Sequence, residues 1–122
     1  PFVHGAELEG PRGEVVRFRG VVDDGAMVNA IDSGSYQEKG TRLERLETSG
    51  RWLRMADGRL TPSLGVWRGK VSMGGIARRG EFEVFDSGGA WTLLIGKPML
   101  ESYKAVHDYA TDSIHIPRTG TS

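Results

Sequence analysis

Leu93-Leu94-Ile95-Gly96 runs directly into Lys97-Pro98-Met99-Leu100. With Thr92 in front, the first half is an almost unbroken apolar run, as expected of a strand buried on both faces. Pro98 suits the first turn of a short helix, in which Met99 and Tyr103 share one face and Leu100 and Lys104 another. A second stretch, Val21-Val22-Asp23-Asp24-Gly25-Ala26, carries the chemistry. Two β-branched residues lead into paired carboxylates, and then into two residues that need little room. A strand ending in Asp-x-Gly places a carboxylate on a tight loop near backbone N–H groups. Glycine there admits a substrate or a second chain at close range.

The composition bounds the reading. A chain of 122 residues suffices for one domain with one core. Glycine supplies 18 of the 122 residues, and with Val, Ile, Leu and Trp in short runs this favours short strands and tight turns over long helices. Sixteen basic residues balance sixteen acidic ones, so neither nucleic acid nor a membrane surface is the expected partner. The absence of cysteine removes disulfides, thiolate zinc sites and cysteine nucleophiles, and fits a reducing compartment. No stretch approaches ~18 apolar residues, and no signal-peptide pattern is visible. The chain begins at Pro1 without methionine, as expected of a piece excised from a longer protein.

Taken in order, residues 1–13 are polar and broken by Gly5, Gly10, Pro11 and Gly13, and read as a flexible arm with a short strand at Phe2-Val3-His4. Glu14 to Gly20 alternates partly, as an outer strand does. Asp32-Ser33-Gly34 and Asp86-Ser87-Gly88 are two further Asp-x-Gly triplets and so alternatives to Asp23, but neither is followed by an apolar strand as Asp23 is. Asp32 precedes a polar segment that reads as a short helix or loop capped by Asp32 or Ser33. Asp86 lies in a glycine-rich turn. Arg51 to Ala56 and Leu60 to Trp67 read as two strands of a hairpin with Asp57-Gly58 at the tip, Pro62 being restricted to an edge or bulge. Lys70 to Met73 leads through Gly74-Gly75 into another strand. Glu81 to Phe85 alternates, with Phe82 and Val84 on one face and Glu81, Glu83 and Phe85 on the other. Val106 to Tyr109 and Ser113 to Ile116 flank a turn and form a closing hairpin, and 118–122 reads as a flexible tail.

The Asp-x-Gly-Ala loop, the Asp-Gly hairpin, the Leu94-Ile95-Gly96 strand with its following helix, and the Ala105-Val106-His107-Asp108 tail resemble, in type and order, the retropepsin-like aspartic protease domains of retrotransposon polyproteins. The resemblance covers about residues 14–116 of a single domain over 1–122. It implies an all-β, closed barrel-like acid-protease fold with a flap hairpin and one short C-terminal helix. It implies peptide-bond hydrolysis, in the setting of polyprotein processing, by a homodimer in which each copy gives Asp23 to a dyad. Asp24, Gly25 and Ala26 would form the active-site loop and dimer grip. Ala56, Asp57, Gly58 and Arg59 would form the flap tip over a polypeptide substrate, and Leu94, Ile95 and Gly96 would support the site from below. An intracellular location, cytoplasmic or within a retroelement particle, goes with it. No cofactor or metal is called for, and His4, His107 and His115 lack metal-ligand spacing.

Asp24 departs from the family's Asp-(Thr/Ser)-Gly triplet. The usual hydroxyl both accepts and donates across the dimer axis, whereas an ionised carboxylate only accepts. A protonated Asp24 would keep both bonds and favour an acid-stabilised dimer, which is the expected arrangement. An Asp24 pointing elsewhere would loosen the dimer. In a third arrangement catalysis is lost, and the domain serves as a dimerisation or extended-peptide-binding module. Trp52, Trp67 and Trp91 are candidates for a peptide cleft, with core or edge packing expected for at least two of them.

Overall fold

From Val15 to Val22 side chains alternate outward and inward, and Val16 and Phe18 enter the core while Arg17 and Arg19 face solvent. That period of two makes this segment a strand with one wet face. The structure, a computed structural model, describes residues 2–43, 45–111 and 113–117. In it the segment is β2 (Val15–Val22), preceded by β1 (Phe2–Glu9). Then follow β3 (Ala30–Asp32), α1 (Ser33–Lys39), a 3₁₀ turn at Gly40–Arg42, β4 (Trp52–Arg54), β5 (Leu60–Pro62), β6 (Val66–Met73) and β7 (Ile76–Phe85). β8 (Leu93–Ile95), α2 (Lys97–Ser102), β9 (Val106–Asp108) and β10 (Ser113–His115) complete the order. No helix is long and apolar enough to cross a membrane.

Six strands close a barrel in the order β1-β2-β8-β3-β7-β6, with Glu7 opposite Ser72 and Leu8 opposite Val71 at the seam. β8 lies between β2, to which it is parallel, and β3, to which it is antiparallel. As its apolar run suggests, all three of its residues are buried. Trp67, Phe82, Leu8, Ile31, Val71, Leu93, Ile95, Met99 and Tyr103 belong to the main core. Met99 and Tyr103 both enter it from the region of α2, as their shared helical face requires. The Tyr103 hydroxyl donates to a main-chain carbonyl there, with those of Val71 and Ile76 at 2.9 and 2.8 Å. A smaller cluster of Ala30, Phe85 and Leu94 packs with Val21, Ala26, Val28, Leu53 and Trp91.

The fold agrees with the all-β, barrel-like expectation, but the N-terminal segment differs from it. Residues 2–9 are not a flexible arm. β1 pairs with β2 over its full length, from Phe2 opposite Val22 to Glu9 opposite Val15. Ala6 and Leu8 point inward, and main-chain pairing supplies the rest of the hold, which polar side chains do not prevent. The strand Leu60 to Trp67 is also divided: Leu60–Pro62 stays with the hairpin and Val66-Trp67 opens β6. A short helix does follow Asp32, which caps it. The tail expected at 118–122 lies outside the described residues.

Asp32 accepts hydrogen bonds from the N–H groups of Gly34 (3.1 Å), Ser35 (3.3 Å) and Ser87 (3.0 Å), so its carboxylate starts α1 and ties it to the turn after β7. Asp86 accepts from Gly88 N–H at 2.9 Å within that turn. Burial pushes the Asp32 carboxyl up, but the bonds from Ser87, Ser35 and Gly34 outweigh it and hold the group below the usual carboxylate range. A carboxyl lowered on folding stabilises above its unfolded-state value and loses that contribution as pH falls through the folded-state value. Asp32→Ala should therefore cost about 1 kcal/mol at neutral pH, and the gap to the parent should narrow in acid, as measured by denaturant unfolding at several pH values.

Candidate active site

β2 ends by delivering Asp23 onto a loop that arches over the end of β8. The Asp23 N–H donates to Ile95 C=O at 2.9 Å, continuing the parallel β2–β8 pairing into the loop. The Gly25 N–H donates to Asp23 Oδ1 at 2.9 Å, and Ala26 N–H returns to Asp23 C=O at 3.1 Å. The carboxylate is thus oriented from its own loop while remaining exposed.

The underside of the arch is held by Gly96 and Asn29. A Cβ on Gly96 would stand 2.1 Å from Val28 O and 3.0 Å from Ala26 O, so no other residue fits there without moving the loop. Lys97 N–H donates to Ala26 C=O at 2.8 Å. Asn29, almost fully buried, accepts from the N–H groups of Gly96 (3.0 Å) and Met99 (3.2 Å) and donates to Glu81 C=O (3.0 Å). One amide therefore joins the loop, the start of α2 and β7.

The β4–β5 hairpin stands over this loop. Its tip closes through Met55 N–H to Arg59 C=O (2.7 Å) and Gly58 N–H to Met55 C=O (2.9 Å), and Gly58 takes φ +87°, which glycine adopts freely. Asp57 accepts from Arg59 N–H at 2.9 Å and faces its guanidinium at 3.9 Å. Between hairpin and loop lies a cleft of about 730 Å³. Asp23, Gly25 and Ala26 line one side, residues 51–56 of the hairpin the other, and Val21, Leu94 and Trp91 also line it. Of the expected flap residues, Ala56 reaches the cleft, while Asp57, Gly58 and Arg59 shape the tip. Trp52 and Trp91 line the cleft, and Trp67 is wholly in the core. Neither Asp32 nor Asp86 lines it.

Asp24 faces a different groove, of about 340 Å³, bordered by Val22, Leu100, Lys104 and Ile114. Its Oδ2 accepts from the Tyr109 hydroxyl at 3.1 Å, and the Tyr109 ring lies 3.9 Å from that of His107. The carboxylate beside it holds the Tyr109 phenol above its usual range. Among the described residues, no group of three or more His, Cys, Asp or Glu side chains could hold a metal ion.

The local sequence marked Asp23, the glycine beside it, the hairpin and the apolar strand. It did not mark Asn29 or Tyr109, because each acts on a partner far along the chain.

A closed barrel with its β8 strand inserted between β2 and β3, an Asp-bearing arch and a covering hairpin is the retropepsin-like fold. Among solved structures the chain is similar to the retroviral protease-like domain of Ddi1 from Leishmania major, at TM-score 0.67 and 18% identity over 94% of this chain and 85% of that one. It is also similar to a retropepsin-like aspartic protease from Rickettsia conorii, at TM-score 0.60 and 22% identity over 91% of this chain and 85% of that one. No family model and no curated protein sequence matches the chain.

Asn29→Ala leaves three main-chain groups without their partner and should cost about 2 kcal/mol or more in denaturant unfolding. Asp24→Ala removes both the hydrogen bond that holds the Tyr109 proton and the charge that disfavours phenolate. It should lower the Tyr109 titration toward the ordinary range while Tyr103, raised mainly by burial, stays high; ring resonances followed through alkaline pH report both.

Proposed function

We propose that the chain is an aspartic endopeptidase acting as a homodimer, with one Asp23 from each copy forming the catalytic dyad. The observation that carries this reading is Asp23 itself, oriented by Gly25 N–H at the mouth of a cleft roofed by a hairpin, in a retropepsin-like fold. Two carboxylates in contact cannot both ionise, so one keeps a proton. The ionised Asp23 takes a proton from water as it attacks the scissile carbonyl carbon. The protonated one donates a hydrogen bond to the carbonyl oxygen. Collapse of the tetrahedral intermediate breaks the C–N bond, and a dyad proton passes to the leaving nitrogen.

An extended peptide is the substrate the cleft suits, because Trp52, Trp91 and Leu94 offer apolar walls and the hairpin closes from above. Polyprotein processing of the retrotransposon type is the setting proposed for it. A second copy is the partner proposed for the groove beside Asp24, where exposed Tyr109 and the apolar Leu100 and Ile114 lie with Lys97, Glu101 and Lys104. The Tyr109 hydroxyl supplies Asp24 with a donor from its own chain, so Asp24 does not have to keep a proton to be satisfied. One feature of the sequence favours a second reading, a non-catalytic dimerisation or peptide-binding module: position 24 carries a carboxylate where the resembled triplet has a hydroxyl.

The test is cleavage of a peptide library from about pH 4 to about pH 7, with solution mass measured alongside. Cleavage should rise with the dimer population, yield to a transition-state-mimicking inhibitor, and fall at least about 100-fold in Asp23→Asn. A folded dimer that cleaves nothing at any pH would establish the binding module instead, and a monomer at all concentrations would remove the dyad.

A further inference from the structure

Glu83 is a carboxylate that the proposed chemistry does not use. It lies near the end of β7, paired with Ala30 of β3 on one side and Val66 of β6 on the other, and on the face opposite the core residues Phe82 and Val84. Its side chain is only 8% exposed. Strand alternation grouped it with the exposed Glu81, so its burial comes from tertiary structure. A buried carboxylate left alone costs several kcal/mol, so its partners explain why the site tolerates it.

Those partners come from both feet of the β4–β5 hairpin. Before β4, the Ser49 hydroxyl donates to Glu83 Oε1 at 2.5 Å and the Arg51 guanidinium faces Oε2 at 3.3 Å. After β5, Ser63 Oγ lies 2.8 Å from Oε1. The feet are tied to each other by Ser63 N–H to Arg51 C=O at 2.8 Å, and Ser49 Oγ accepts from Arg51 N–H at 3.2 Å. Beyond this knot the hairpin has only three residues in each strand, and of these only Thr61 is buried and Leu53 half-buried. Glu83 N–H also donates to Asn29 C=O at 2.9 Å, so the same residue touches the segment that returns from the Asp23 loop.

We infer that Glu83 is the positioning residue of the covering hairpin: one buried carboxylate clamps both feet and sets the hairpin's height above Asp23, so that motion is confined to residues 52–62. This rests on the hairpin being the cover of a substrate cleft. The geometry assigns Glu83 no contact with substrate.

Glu83→Gln keeps the shape and removes the charge that Arg51 and the two serines share. Amide exchange at Met55 and Gly58, whose N–H groups close the hairpin tip, should accelerate about tenfold, with exchange at Trp67 and Leu94 in the barrel unchanged. For peptide cleavage, KM should rise with kcat little altered. The double variant Ser49→Ala with Ser63→Ala leaves the Arg51 pair in place and should give the same pattern more weakly; it decides the question if Glu83→Gln does not fold. Unchanged hairpin exchange, or acceleration spread evenly over barrel and hairpin, would overturn the inference. Because exchange needs no catalysis, a chain that cleaves nothing but loses hairpin protection alone would still support the clamp. Cleavage with an unaffected hairpin would reject the clamp and leave Asp23 untouched.

Discussion

The contact on which the molecule depends is the passage of β8 beneath the loop that joins β2 to β3. These two strands are consecutive in the barrel's chain order yet not adjacent, because β8 fills the space between them. The loop of residues 23–29 must therefore cross over the end of β8, and β8 must leave that end without a side chain in the way. Gly96 satisfies this, since any Cβ would meet Val28 O. The backbone polar groups forced together at the crossing are paired through Asn29, Ile95 and Ala26, as buried main-chain groups must be. The arch is a consequence of topology, and the Asp23 carboxylate is carried on it.

Consecutive carboxylates are placed in different surroundings by that arch. Asp23 is held by Gly25 N–H and lines the cleft, whereas Asp24 reaches the Tyr109 hydroxyl near the C-terminal hairpin. Two adjacent charges would repel each other in a shared site. Directing them to separate grooves leaves one facing the cleft under the hairpin and gives the other a donor. The smaller apolar cluster serves the same arrangement. Ala30, Phe85 and Leu94 form its buried part, and Val21, Ala26, Leu53 and Trp91 lean on it. Loop and hairpin thus rest on common ground, and Glu83 fixes the hairpin's feet nearby.

Much of this was legible in the residues. The Asp-Gly tip, the Gly74-Gly75 turn, the buried strand at 93–95 and the helix opened by Pro98 follow from local rules of φ, hydrogen bonding and apolar run length. Other parts were not. Phe2–Glu9 carries His, Gly and two Glu, and its barrel membership comes from an eight-residue pairing with β2, which leaves no local trace. The alternation from Glu81 to Phe85 put Glu83 on the face opposite Phe82 and Val84 and left open what covers it, and the hairpin feet packed over it made that position dry.

The sequence by itself determined where the paired carboxylates stand, where the chain turns, and that β8 needs apolar residues on both faces. These properties reside in single residues and their immediate neighbours. Only the tertiary structure decided that Asn29 would bind the start of α2, that Tyr109 would meet Asp24, and that Glu83 would gather Ser49, Arg51 and Ser63. Each of these pairs is brought together by the order of strands around the barrel, and a hydrogen bond between positions far apart in the chain has no periodicity or motif to announce it.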